Sequence, residues 1–132
     1  MNSQIRWLRI SYWAGAIVDG LATLRLLFAE MMPGASADVG YNMGVKWGAA
    51  LMLGWTCLLI WADRKPLERK GVLLLTIFPV IVGLMATSIV TYIAGFATIG
   101  TLVLNLAIQG ALIVLLTFSY LNARTLENAS DE

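Results

Sequence analysis

Four apolar runs, each about as long as a bilayer core is thick, divide the sequence: 7–31, 41–62, 71–94 and 98–121. About 20 predominantly apolar residues wound as an α-helix cover the hydrocarbon layer. Lipid admits only helices or closed barrels, because an unpaired backbone group is too costly there. The spacing therefore predicts an all-α fold, an integral membrane four-helix bundle running antiparallel up-down-up-down, with residues 1–132 forming a single transmembrane domain. Composition agrees: 13% of the residues are charged and 59% hydrophobic, whereas soluble domains carry about 25% charged residues.

The breaks between runs differ in chemistry. "MPGASADVG" is rich in turn formers, "DRKPLERKG" is charged and carries Pro66 and Gly71, and "AGFATIG" is short enough to demand a tight antiparallel hairpin. Pro79, inside the third run, removes a backbone hydrogen bond and is expected to bend the helix. The first apolar run continues to Met32, past the 7–15 residues usual for the apolar part of a signal peptide. The first run is therefore expected to be retained as a helix.

Lysine and arginine set the direction. Arg6 and Arg9 precede the first run, Arg64, Lys65, Arg69 and Lys70 lie between the second and third, and Arg124 follows the fourth; the other two connections hold none. The positive-inside rule then places both termini, the 63–70 loop and the polar tail 122–132 in the cytoplasm. Trp7, Trp61 and Tyr120 fall at the inner boundary this implies, and Tyr41 and Tyr92 at the outer one.

Several function classes drop out. Net charge is +1 with the basic residues spread out, so nucleic acid is not an expected partner. The chain has no histidine, which excludes His-ligated haem, His-bound zinc and any Ser-His or Cys-His catalytic pair. Cys57 is a lone thiol in an apolar run, expected to be buried and inert. Neither a GxGxxG nor a GxxxxGK[ST] phosphate loop occurs, nor a GxSxG elbow. No cofactor and no metal site are expected, and enzymatic activity is disfavoured.

The first run is the unusual one. "AIVDGLATLRLLFAE" (16–30) reads as hydrocarbon yet carries Asp19, Arg25 and Glu30. Asp19 is the midpoint of 7–31, and Arg25 lies roughly 9 Å further along at 1.5 Å per residue. An aspartate at a helix centre costs about 2.5–3.5 kcal/mol on the insertion scale, while each Leu, Ile, Val or Phe returns about 0.3–0.6. The run should insert only marginally by itself and needs partners. At 100° per residue, Ile10, Trp13, Ile17, Leu21, Leu24 and Phe28 share one face, and Ser11, Gly15, Asp19, Ala22, Thr23, Ala29 and Glu30 the opposite one. The charges are thus expected to point into protein.

Matching polar positions lie on the other runs: Lys46 on the second, Thr76, Gly83, Thr87 and Thr91 on the third, and Thr98, Thr101, Asn105, Gln109 and Tyr120 on the fourth. One reading is a salt-bridge and hydrogen-bond network that fixes helix register. The favoured reading is an outward-opening polar site around Asp19 that binds or conducts a polar solute, a proton or an ion. Its candidate residues are Asp19, Arg25, Glu30, Lys46, Thr87, Thr91, Asn105 and Gln109. There Asp19 bears the charge, Arg25 and Lys46 tune it or hold an anionic group, and Asn105 and Gln109 orient the solute.

The rival is a non-catalytic accessory subunit of a membrane complex; a lipid- or quinone-modifying enzyme comes third. Gly40, Gly44 and Gly48, at fourfold spacing, are candidates for close helix packing inside the protomer or in a homo-oligomer. The bilayer itself is the expected partner, and the basic loop has the chemistry to touch anionic headgroups.

"GWTCLLIWADRKPLERKGVLLLTIFPVIVGL" (54–84) together with "YWAGAIVDGL" (12–21) resembles a set of small prokaryotic four-span integral membrane proteins. That resemblance implies a four-span fold and a prokaryotic inner (cytoplasmic) membrane, and no particular activity. Small multidrug resistance transporters are similar in span number and in a mid-membrane acid that Asp19 matches in position; the usual Glu there, the weak charge bias of some members and the absence of a counterpart to Arg25 set them apart. DoxX-like proteins are similar in size and in a first-span Arg comparable to Arg25.

Overall fold

The computed structural model describes residues 2–28 and 38–130. The chain is all-α. Helix α1 spans Asn2–Leu27, α2 Val39–Asp63, α3 Gly71–Leu75, α4 Val82–Ile93 and α5 Ile99–Ser130. A wide π-type turn, Thr76–Ile81, joins α3 to α4, so Gly71–Ile93 is one interrupted helix and the architecture has four helices. The interruption centres on Phe78, at φ −130° and ψ 116°, beside Pro79, whose preceding peptide bond is cis. A residue before proline is sterically driven out of the α region.

Local chemistry sets the ends. Asp38 caps α2, its Oδ1 accepting from the Tyr41 backbone N–H at 2.7 Å. After α2, the loop containing Pro66 turns through a bond from Arg69 N–H to the Lys65 carbonyl. Gly95, at φ +78°, follows α4, with its N–H on the Tyr92 carbonyl and the Phe96 N–H on the Thr91 carbonyl. This Schellman arrangement needs a left-handed residue, which glycine adopts without penalty. Thr98 then caps α5 by accepting from the Thr101 N–H at 3.3 Å. The expected tight connection is therefore five residues, 94–98, and α4 packs on α5. Contrary to a tail that ends with the apolar run, α5 continues to Ser130, since 122–130 contains neither proline nor glycine to stop it.

The chain divides into two compact units, one of Met1–Ser11 with Lys65–Glu132, the other of Tyr12–Arg64. In the first, the opening turns of α1 run antiparallel to α5. The Trp7 and Phe118 rings meet edge to face at 5.5 Å. The Ser11 and Ser119 hydroxyls lie 2.6 Å apart, with the Leu115 and Trp7 carbonyls as further acceptors. Both serines are fully buried, as are Leu8, Leu73 and Leu116. Small side chains at such a contact let backbones approach.

In the second unit, α1 and α2 form an antiparallel pair. A Cβ on Gly15 would lie 3.2 Å from Leu59 Cδ1, Gly20 lies opposite Thr56, and Gly48 opposite Leu26, so the register descends on one helix as it rises on the other. The Trp13 indole N–H donates to Asp63 Oδ2 at 3.3 Å.

Among the described residues, three helical stretches are long and apolar enough to cross a membrane: Val39–Asp63, Gly71–Ile93 and Ile99–Thr125. Large apolar side chains stand exposed along them, with Leu51 76%, Ile93 75% and Val114 70% accessible. Helix α1 has the length at 26 residues but is not among these three. Asp19 and Arg25 offset its leucines. Its faces are those the periodicity predicts: Ile10, Trp13, Ile17, Leu21, Leu24 and Phe28 are exposed, while Ser11, Gly15 and Thr23 are buried and Asp19 partly so. Cys57 corrects an expectation: it is exposed, because a membrane helix meets its need for apolar surroundings from lipid as well as from protein.

Candidate functional site

Asp19 sits on the face of α1 that meets α2. Its Oδ2 is 2.8 Å from the Thr56 hydroxyl. Thr56 Oγ1 is also 3.0 Å from the carbonyl of Met52, one turn back along its own helix. A hydroxyl has one proton and two lone pairs. When Asp19 is ionised, Thr56 donates to it. When Asp19 is protonated, the carboxyl donates to Thr56, whose own proton turns to Met52. The pair thus keeps a complete hydrogen bond in either charge state. Among the described residues, the second carboxylate oxygen of Asp19 takes no hydrogen bond. One turn further, the buried Thr23 hydroxyl donates to the Asp19 backbone carbonyl at 2.9 Å.

The other candidates are placed as follows. Arg25 is exposed near the end of α1, and Lys46 is exposed in the N-terminal half of α2; both belong to the same unit as Asp19. Glu30 lies outside the described residues. Thr87, Thr91, Asn105 and Gln109 belong to the other unit. The Thr87 and Thr91 hydroxyls donate to the carbonyls of Gly83 and Thr87, at 2.9 and 2.8 Å, so their donor capacity is met within α4. Asn105 and Gln109 lie one turn apart on α5, and Gln109 Oε1 is buried without a hydrogen-bond partner among the described residues. Among the described residues, Gly40 approaches only Asp38, Gly44 meets nothing within 4 Å, and Gly48 meets Leu26 at 3.9 Å.

Sequence reasoning missed Thr56, the one side chain among the described residues that binds the Asp19 carboxylate. Nothing in the apolar run 41–62 singles it out until the register against α1 is known.

Two cavities are formed away from Asp19. One, in the unit containing both chain ends, measures 240 Å³ and is lined by Ile5, Arg9, Lys65, Pro66, Leu67 and Glu68. The other is a crevice among Tyr12, Trp13, Leu59 and Asp63, too narrow for water. Among the described residues, no three Asp, Glu or Cys side chains gather as metal ligands.

The glycines give a direct test of the α1–α2 contact. Gly15→Leu drives a branched side chain into Leu59 and should destabilise the protein by about 1–3 kcal/mol, the usual cost of overpacking. Gly44→Leu, at a site that meets no described residue within 4 Å, should stay within about 0.5 kcal/mol of wild type. Thermal unfolding in detergent reads both; equal effects would mean that the α1–α2 register is wrong. Comparison of the chain with protein-family models, curated proteins and solved structures gave no match.

Proposed function

We propose that the chain is a multi-pass protein of a prokaryotic inner membrane, a four-helix antiparallel bundle with cytoplasmic termini, that binds a proton or small cation at Asp19. The observation that carries this reading is the Asp19–Thr56–Met52 arrangement, which retains its hydrogen bonding whether or not the carboxyl is ionised. A mid-helix carboxyl built only to fix register needs one charge state; one that exchanges a proton needs both. Intramembrane acids commonly serve such relays.

The purified protein in proteoliposomes, driven by an imposed pH or potassium gradient, should show flux that falls to the level of empty vesicles in Asp19→Asn. Thr56→Ser, which keeps the hydroxyl, should retain flux, and Thr56→Val should lose most of it. Helicity by circular dichroism controls for folding. A second reading, a non-catalytic accessory subunit, draws on Gly44, which meets no described residue within 4 Å, as suits a small-residue contact for another membrane helix. Absent wild-type flux with stable co-purification of a partner helix protein would decide for that reading.

A further inference from the structure

We propose that the 240 Å³ cavity lined by Ile5, Arg9, Lys65, Pro66, Leu67 and Glu68 binds the headgroup of an anionic phospholipid. It lies where the start of α1 meets the loop that leads into Gly71–Ile93, a stretch long and apolar enough to cross a membrane. Its lining is divided in character: Arg9 and Lys65 supply cations, while Ile5, Pro66 and Leu67 supply apolar wall. Free phosphate needs only the first; a lipid presents a phosphate joined to glycerol and acyl carbon and matches both.

Size argues the same way. Pockets for drug-sized ligands run from about 300 to 1,000 Å³, so this one takes a headgroup and leaves the chains outside, against the apolar side chains exposed on neighbouring helices.

The charges favour an anion despite the acid in the wall. Glu68 pairs with Lys65 at 2.9 and 3.0 Å, using two of the three ammonium N–H directions. Both side chains are more than half exposed, so the pair contributes little and yields readily to a competing phosphate. Arg9 brings a planar fork of donors suited to phosphate oxygens. Arg69 and Lys70 follow on the same loop and add to the local positive field.

The test is native mass spectrometry of the whole protein, released from detergent after equilibration with phosphatidylglycerol or phosphatidylcholine. Wild type should retain phosphatidylglycerol about thirtyfold better, the product of the roughly fivefold that each near-surface cation contributes. Arg9→Gln with Lys65→Gln should bring the two lipids level, Arg124→Gln should leave the preference intact, and Glu68→Gln should raise it. Helicity and monodispersity confirm that the variants fold. Equal retention of both lipids by wild type, or an unchanged preference in the double variant, would overturn the proposal. So would displacement of the lipid by millimolar inorganic phosphate, which would make the cavity a free-anion site. The proposal rests on membrane placement of the helices and not on Asp19, so it stands or falls separately from proton binding.

Discussion

Replacing Asp19 with leucine should raise the membrane insertion of α1 by about 3–4 kcal/mol, a factor of several hundred in its insertion equilibrium. The figure is the difference between a central aspartate, at about +2.5–3.5 kcal/mol, and a central leucine, at about −0.3 to −0.6. Helix α1 is the long helix outside the three that are apolar enough to span, so it is where one charge decides the outcome. The measurement is glycosylation mapping of α1 placed as a test segment in a host membrane protein: the natural helix should split between inserted and translocated forms, and the leucine variant should insert fully. Complete insertion of the natural helix would remove the argument that α1 depends on α2.

In the whole protein the same change has a second, opposing consequence. It removes the bond from Thr56, and interhelical hydrogen bonds in membranes average about 0.6 kcal/mol with a maximum near 1.7. Insertion should therefore improve while α1–α2 association weakens slightly. The two effects differ severalfold in size, so insertion dominates expression and pairing shows only in unfolding.

What was legible in the sequence follows from what periodicity can carry. The two faces of α1 were readable because a 3.6-residue period maps side chains to directions without reference to any other helix: Ile17, Leu21 and Phe28 are exposed and Gly15 and Thr23 are buried, as the helical wheel requires. A bend at Pro79 was equally readable, since the ring forbids a regular helix on local grounds. Its form, a wide turn over Thr76–Ile81, was not, because that depends on how α3 and α4 each settle on α5. Thr56 was invisible for a related reason. One hydroxyl in an apolar run gives no signal until the register against α1 is known, and that register is set by Gly15 against Leu59 and Gly48 against Leu26. Ser119 is a parallel case: Ser11 was placed on the inward face of α1, but its partner lies more than a hundred residues on and is found only by folding.

Neutralising Arg64, Lys65, Arg69 and Lys70 should weaken the orientation of the protein, and adding positive charge on the opposite side should leave it mixed. Each Lys or Arg near an anionic membrane surface is worth about 1 kcal/mol, so glutamine at all four removes roughly 4 kcal/mol of bias, close to three orders of magnitude. Arg6, Arg9 and Arg124 still favour cytoplasmic termini, so the quadruple variant should retain a weakened version of the same orientation. Adding Phe96→Lys and Ala97→Lys supplies a competing cationic loop between α4 and α5, while leaving the left-handed Gly95 in place. With Cys57→Ser as background and Leu67→Cys as reporter, a membrane-impermeant maleimide should label wild type only after the cytoplasmic side is opened, and the six-charge variant partly from each side. Loss of the Lys65–Glu68 pair does not confuse the result, because an exposed pair contributes about 0–1 kcal/mol. Labelling of the unaltered loop from outside would reverse the proposed orientation and, with it, the leaflet from which the Arg9–Lys65 cavity draws its lipid.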